Sequence, residues 1–66
     1  MKELELTIYI TKDGEYLETE YCTVSVPSDA DNNDFDTLFA ALRTEYPELY
    51  SDYPDCNFEI TDVEAV

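Results

Sequence analysis

The chain has 66 residues and a formal net charge of −14, because 17 acidic residues stand against only three basic ones. A chain of this length forms one domain with a thin core, since it buries only about 60% of the surface that its unfolded form exposes. Direct binding to nucleic acid or to an anionic membrane is excluded, because three basic residues cannot neutralise a row of phosphates.

The segment at residues 3–10, "ELELTIYI", alternates apolar residues with polar and aromatic ones. This period of two predicts a strand with one buried face, and its apolar content predicts a central position in the sheet. Asp13-Gly14 follows, and this dipeptide between two β-rich segments predicts a hairpin turn because glycine takes a positive φ. The next segment, residues 16–26, is then the second strand.

The register of this hairpin decides where two acidic residues point. A two-residue turn pairs Ile10 with Leu17, which places Glu18 and Glu20 on the outer face with the acids of the first strand. The later inward residues of strand two have the opposite parity to Leu17, so a β-bulge near Tyr21-Cys22 is predicted. The alternative, a three-residue loop, turns Glu18 and Glu20 inward, which is costly unless they lie beyond the core.

A helix is predicted from about residue 33 to about residue 46, with Asp31, Asn32 or Asn33 as its N-cap. Its apolar stripe has helical spacing and consists of Phe35, Leu38, Phe39, Leu42 and Tyr46. Pro47 disfavours helical geometry at the preceding residue and predicts the end of the helix, with a short turn of helix able to start at the proline itself. Residues 57–66 then supply a third strand, with Phe58 and Ile60 facing inward.

The predicted fold is a single compact acidic α+β domain over residues 1–66. The order is ββαβ, with a three-stranded antiparallel sheet of order 2-1-3 and one helix packed on one face. No element remains to cover the other face of the sheet. The side chains expected there are Glu3, Glu5, Glu18, Glu20 and Glu59, with Tyr9 and Thr61 among them.

The acidic segment before the helix raises the question of calcium. Asp29, Asp31 and Asn33 have the spacing of the first ligands of an EF-hand loop, but Asp34 replaces the required glycine and Ala40 the bidentate glutamate. We therefore predict no metal site. A helix start explains the same acids, because Asp34 and Asp36 lie near the positive end of the helix dipole.

The remaining chemistry of the chain does not indicate an enzyme or a bound cofactor. There is no histidine and only one glycine, and no carboxylate pair is set apart in an apolar pocket. In a sheet of order 2-1-3, Cys22 and Cys56 would be two strand spacings apart, about 9.5 Å, which exceeds the roughly 7 Å Cα limit for a disulfide. We expect two reduced thiols and, because the N-terminus has no basic n-region, a cytoplasmic location.

Three acidic segments carry a resemblance to known proteins: the "ELE" of the first strand, the "ETE" of the second and the "SDADNNDFD" before the helix. In a very short chain with a small ordered fold, they resemble the small acidic DNA-mimic inhibitors of phages and mobile elements, which include anti-CRISPR and anti-restriction proteins. The resemblance lies in size, charge and simplicity of fold, and it transfers no individual residue role.

The resemblance implies an inhibitor that evades host defence by mimicking the phosphate charge of DNA, with a CRISPR effector as the first candidate target. Charge leads to the same class of partner, because rows of fixed carboxylates can occupy lysine and arginine sites that hold a phosphate backbone. Such a protein would act in the cytoplasm of the host cell as a monomer or weak homodimer. The partner-binding residues expected are Glu3, Glu5, Glu18, Glu20 and Glu59, followed by Asp34 and Asp36.

A second function class is also consistent with the sequence. A small acidic interaction module could bind a basic partner by adding a strand at a free edge of the sheet, which would be strand two or strand three. Competition between nucleic acid and this protein for the partner distinguishes the two classes.

Overall fold

The computed structural model of the protein describes residues 1–66 and contains three strands and two helices. In chain order these are β1 (Lys2–Lys12), β2 (Glu15–Val26), α1 (Phe35–Glu45), α2 (Pro47–Asp52) and β3 (Asn57–Ala65). The sheet has the order β2-β1-β3, and β1 is antiparallel to both of its neighbours. The predicted α+β fold, with a 2-1-3 sheet and a helix after β2 packed against it, is confirmed.

The core lies between one face of the sheet and the helices. The central strand supplies the four apolar residues that the alternation predicted, and all four are at most 1% exposed. Leu38 and Leu42 of α1 and Leu49 of α2 pack against them. The buried residues of β2 complete the cluster: Cys22, Val24 and Val26.

The hairpin turn has the predicted residues and geometry. Lys12 pairs with Glu15, which leaves Asp13 and Gly14 as a two-residue loop with φ values of 53° and 81°. Two successive positive φ values define a type I′ turn, whose twist matches that of the strands.

The predicted position of the bulge in β2 is wrong. Ile10 pairs with Glu18 and Thr11 with Tyr16, so the extra residue is Leu17, directly after the turn. Leu17 is therefore not opposite Ile10, and it is 47% exposed. Tyr16, on the turn side of this bulge, packs edge-on against Tyr9, with ring centroids 5.8 Å apart.

A second bulge, which the sequence did not predict, lies in β3. Thr7 pairs with Asp62 and Ile8 with Ile60, so Thr61 is the extra residue. The bulge reverses the faces of all later residues in the strand. Val63 therefore lies opposite Leu6 on the helix side, and its neighbours Asp62 and Glu64 lie on the other side.

Helix α1 begins later than expected and has a different N-cap. Asp34, rather than Asp31, Asn32 or Asn33, accepts a hydrogen bond from Thr37 N at 3.3 Å. The Thr37 hydroxyl donates to the same carboxylate at 2.8 Å. The helix ends at Glu45, as Pro47 predicted, and Pro47 itself is the first residue of the short α2.

Candidate functional site

The side of the sheet that faces away from the helices, here called the open face, carries five exposed acidic side chains. Alternation along the strands and the pairing register place Glu3 and Glu5 of β1 on this face with Glu59, Asp62 and Glu64 of β3. The part of the open face that β2 forms is polar but uncharged. It consists of Tyr16, Thr19, Tyr21, Thr23 and Ser25.

The acids of the open face form two adjacent rows. Glu5 lies directly opposite Glu64, and Glu59 lies opposite Tyr9 two pairs beyond Asp62. Neighbouring strands are about 4.8 Å apart, and alternate residues of one strand about 6.8 Å apart. Like charges directly opposite each other destabilise a sheet, so the Glu5–Glu64 pair opposes folding.

All three basic residues of the chain lie off the open face. Lys2 Nζ donates to Asn32 Oδ1 at 2.8 Å and to the Ala30 carbonyl, on the helix side. Lys12 lies at the hairpin end and, like Ile10, on the helix side of β1 by alternation. The Arg43 guanidinium of α1 lies 5.5 Å from the ring centroid of Tyr50. The acids of the open face therefore have no basic neighbour on that face.

Glu18 and Glu20 do not join this acidic face, which contradicts the expected grouping. Because the bulge is at Leu17, they pair with Ile10 and Ile8 and lie on the helix side of the sheet. They extend beyond the core, toward the segment around α2. The Tyr53 hydroxyl donates a hydrogen bond to Glu18 Oε2.

A second acidic site, here called the helix-side cleft, lies between β2 and α2. It has a volume of about 160 Å³, and Glu20, Glu48 and Asp52 supply its charge. Burial, with added repulsion from Glu20 and Glu48, raises the pKa of Cys22 to about 11, so this thiol stays protonated and a weak nucleophile at neutral pH. Cys22 and Cys56 are both free thiols.

The hydrogen bond that the Tyr53 hydroxyl donates to Glu18 raises the pKa of the Tyr53 phenol from 10.0 to about 12, with further contributions from desolvation and nearby acids. The unfolded phenol loses its proton at lower pH, so this stabilisation is complete below about pH 10 and lost as pH rises toward 12. We expect the ¹³C NMR titration of the Tyr53 ring to shift to lower pH in Glu18→Gln but not in Glu48→Gln. Unchanged titration in Glu18→Gln would contradict this assignment.

The two acids at the start of α1 lie apart from the open face. Asp34 is engaged as the N-cap of α1, and Asp36 is exposed in its first turn. Asp31 accepts a hydrogen bond from Asn33 N at 2.9 Å, an arrangement of a tight turn. The chain has no group of three or more His, Cys, Asp or Glu residues placed to hold a metal ion.

The largest cavity, about 470 Å³, is an open groove beside α1. Glu45 is the only ionisable side chain in its lining, and its carboxylate accepts a hydrogen bond from Ser25 N at 2.9 Å.

Asp62 and Glu64 are the acids of the open face that the alternation in the sequence did not predict. Continuous alternation from Phe58 and Ile60 would turn both of them toward the helices. The change of apolar parity from Ile60 to Val63 was the available signal, since it requires one extra residue between them.

The comparisons with known proteins found no relative of this chain. Neither the protein-family profiles, nor the curated proteins, nor the solved structures contain a match to this chain. Neither helix has the length and apolar character needed to cross a membrane.

Proposed function

We propose that this protein inhibits a nucleic-acid-binding protein by occupying its basic DNA-binding surface with the open face. The observation that carries the proposal is the set of five exposed acids on an uncovered sheet face that has no basic residue. A CRISPR effector or another host defence complex is the first candidate target, and the site of action is the cytoplasm of the host cell.

The rigidity of the strands that carry the acids supports this use of the open face. Its acids stand on hydrogen-bonded strands, and the opposite sides of those strands are packed into the core. Carboxylates fixed in this way lose less conformational freedom on binding than carboxylates on a mobile tail. A fixed acidic field also steers a basic partner into contact, and salt weakens that attraction.

The acidic residues destabilise the folded state by repelling one another, and their presence despite this effect also supports the proposal. The Glu5–Glu64 pair is repulsive, and the net charge of −14 is beyond the magnitude of about 2–8 that serves solubility in a small domain. A basic partner surface relieves this repulsion when it binds. The proposed mechanism therefore needs no cofactor, metal ion or catalytic group.

The experiment is capture followed by displacement. The immobilised protein is exposed to nuclease-treated lysate of candidate host cells, and retained proteins are eluted with duplex DNA or with polyglutamate at the same charge concentration. We expect a nucleic-acid-binding protein that DNA releases more effectively than polyglutamate. If every retained protein remained bound at saturating DNA, the proposed function would be wrong.

A further inference from the structure

The two outer edges of the sheet differ in their hydrogen bonding. On the β2 edge, Thr23 N donates to the Tyr46 hydroxyl at 3.1 Å, and that hydroxyl donates to Thr23 O at 3.2 Å. Ser25 N donates to the Glu45 carboxylate at 2.9 Å. Side chains at the end of α1 thus occupy this part of the β2 edge and oppose the addition of another strand there.

The outer edge of β3 has no such cover. The one side-chain hydrogen bond that β3 makes runs from Thr61 Oγ1 to Thr7 O, toward β1. Val66 N donates to Glu3 O, and hydrogen-bonded residues alternate along an antiparallel strand. Val63 therefore directs its backbone N–H outward, away from the sheet.

The side chains beside this free edge differ between its two sides. On the open face they include Asn57 and the three acids Glu59, Asp62 and Glu64. On the helix side they are apolar and half-buried: Phe58, Ile60 and Val63. An added strand therefore meets carboxylates with one set of alternate side chains and apolar groups with the other.

A second, mixed cleft of about 230 Å³ lies next to the same edge. Its apolar part is formed by Ile60, Val63 and Phe35, whose side chain is 46% exposed, and its polar part by Asn32, Asn33, Thr61 and Asp62. The apolar part offers a contact for an apolar side chain of an added strand.

Charge excludes a second copy of this chain as the occupant. Pairing of two β3 edges would bring six carboxylates together on one face, between molecules that each carry a net charge of −14. Like charges on facing strands destabilise the pairing. The same acids favour lysine and arginine on an incoming strand.

We propose that the outer edge of β3 pairs with an extended segment of the basic partner in which basic and apolar residues alternate. The basic side chains lie against the acids of β3, and the apolar ones lie against Phe35, Ile60 and Val63. This inference rests on the proposed function for the identity of the partner, and it adds backbone pairing to charge attraction.

The first test uses a synthetic peptide of about eight residues, a usual strand length, in which lysine and valine alternate. Its controls are a peptide with the lysines and valines in two blocks, and two peptides N-methylated at one or the other set of alternate residues. We expect the alternating peptide to bind about tenfold more tightly than the block peptide. We expect only one of the two N-methylated peptides to lose this tenfold gain in affinity, because only alternate N–H groups of the bound peptide face β3.

The second test changes the protein and leaves every charge in place. Val63→Pro removes the outward N–H at a position where an edge strand tolerates proline, whereas Val63→Ala keeps it. We expect at least about tenfold weaker binding of the alternating peptide to Val63→Pro than to Val63→Ala, with both variants folded by circular dichroism. If Val63→Pro does not fold, the N-methylated peptides decide the question alone.

Several outcomes would overturn strand pairing. These are equal binding of the alternating and block peptides, equal loss of binding with both methylation sets, and a protein dimer that Val63→Pro dissociates. None of them affects the proposed charge mimicry, which depends on displacement by DNA. Failure of DNA to displace the partner, with peptide pairing intact, would refute the proposed function alone.

Discussion

Simultaneous replacement of Glu5, Glu59, Asp62 and Glu64 by lysine is expected to abolish binding to the basic partner. Each exposed ion pair contributes about 0–1 kcal/mol, and each lysine also introduces repulsion. A total loss of about 4 kcal/mol corresponds to an apparent Kd about 1,000-fold higher. All four side chains are exposed, so the fold is expected to remain.

The matched control changes four exposed acids that lie off the open face: Asp29, Asp36, Glu48 and Asp52. Each acid-to-lysine change adds two positive charges, so both variants have a net charge of about −6 in place of −14. We expect the control to weaken binding by about tenfold or less, through the long-range field alone. Equal losses in both variants, measured by titration calorimetry, would assign binding to total charge and not to the open face.

Thermal stability is expected to rise with ionic strength. At 0.01 M salt the Debye length is about 30 Å, close to the 35 Å long axis of the molecule, so acids repel one another across the whole domain. At 0.15 M it is about 8 Å, and only near neighbours such as Glu5 and Glu64 still interact. The compact state gains more from this screening than the expanded unfolded state.

We expect a gain of at least about 1 kcal/mol over that range, which raises the Tm by about 4–8 °C in a domain of this size. Scanning calorimetry in potassium chloride and in choline chloride separates screening from specific ion binding. The two fourfold lysine variants should have a shallower dependence, because they carry less net charge. A Tm that fell steadily with salt in the original protein would mean that attractive pairs dominate its electrostatics.

The fold was predictable because its main signals are local. The alternation of Leu4, Leu6, Ile8 and Ile10 defines a strand, Asp13-Gly14 fixes the turn, and Pro47 ends the helix. These residues determine backbone geometry within a few positions of themselves. The antiparallel arrangement then followed from connections that return the chain to the other end of the sheet.

The composition of the acidic face was only partly predictable, because two bulges decide it. A bulge changes the face of every later residue, and its position depends on packing that the local pattern does not contain. At Leu17, contact between Tyr9 and Tyr16 and the bond from Tyr53 to Glu18 accompany the early bulge. The predicted placement of Glu3, Glu5 and Glu59 on the open face is confirmed. Asp62 and Glu64 lie there in place of Glu18 and Glu20, which lie on the helix side.

The N-cap of α1 was also only partly predictable from the sequence. All four residues from Asp31 to Asp34 are good N-caps by type, and the sequence favoured the first three. Thr37 decides between them in the structure, because its N–H and hydroxyl both donate to Asp34.

The most direct test of the central claim is a competition titration with the purified partner. The apparent Kd of the protein for its partner is measured at increasing concentrations of duplex DNA, at fixed ionic strength. Occupation of one shared surface predicts an apparent Kd that rises in proportion to DNA concentration without reaching a plateau, and no species that holds both ligands. An apparent Kd independent of DNA, or a stable ternary complex of partner, DNA and this protein, would contradict DNA mimicry.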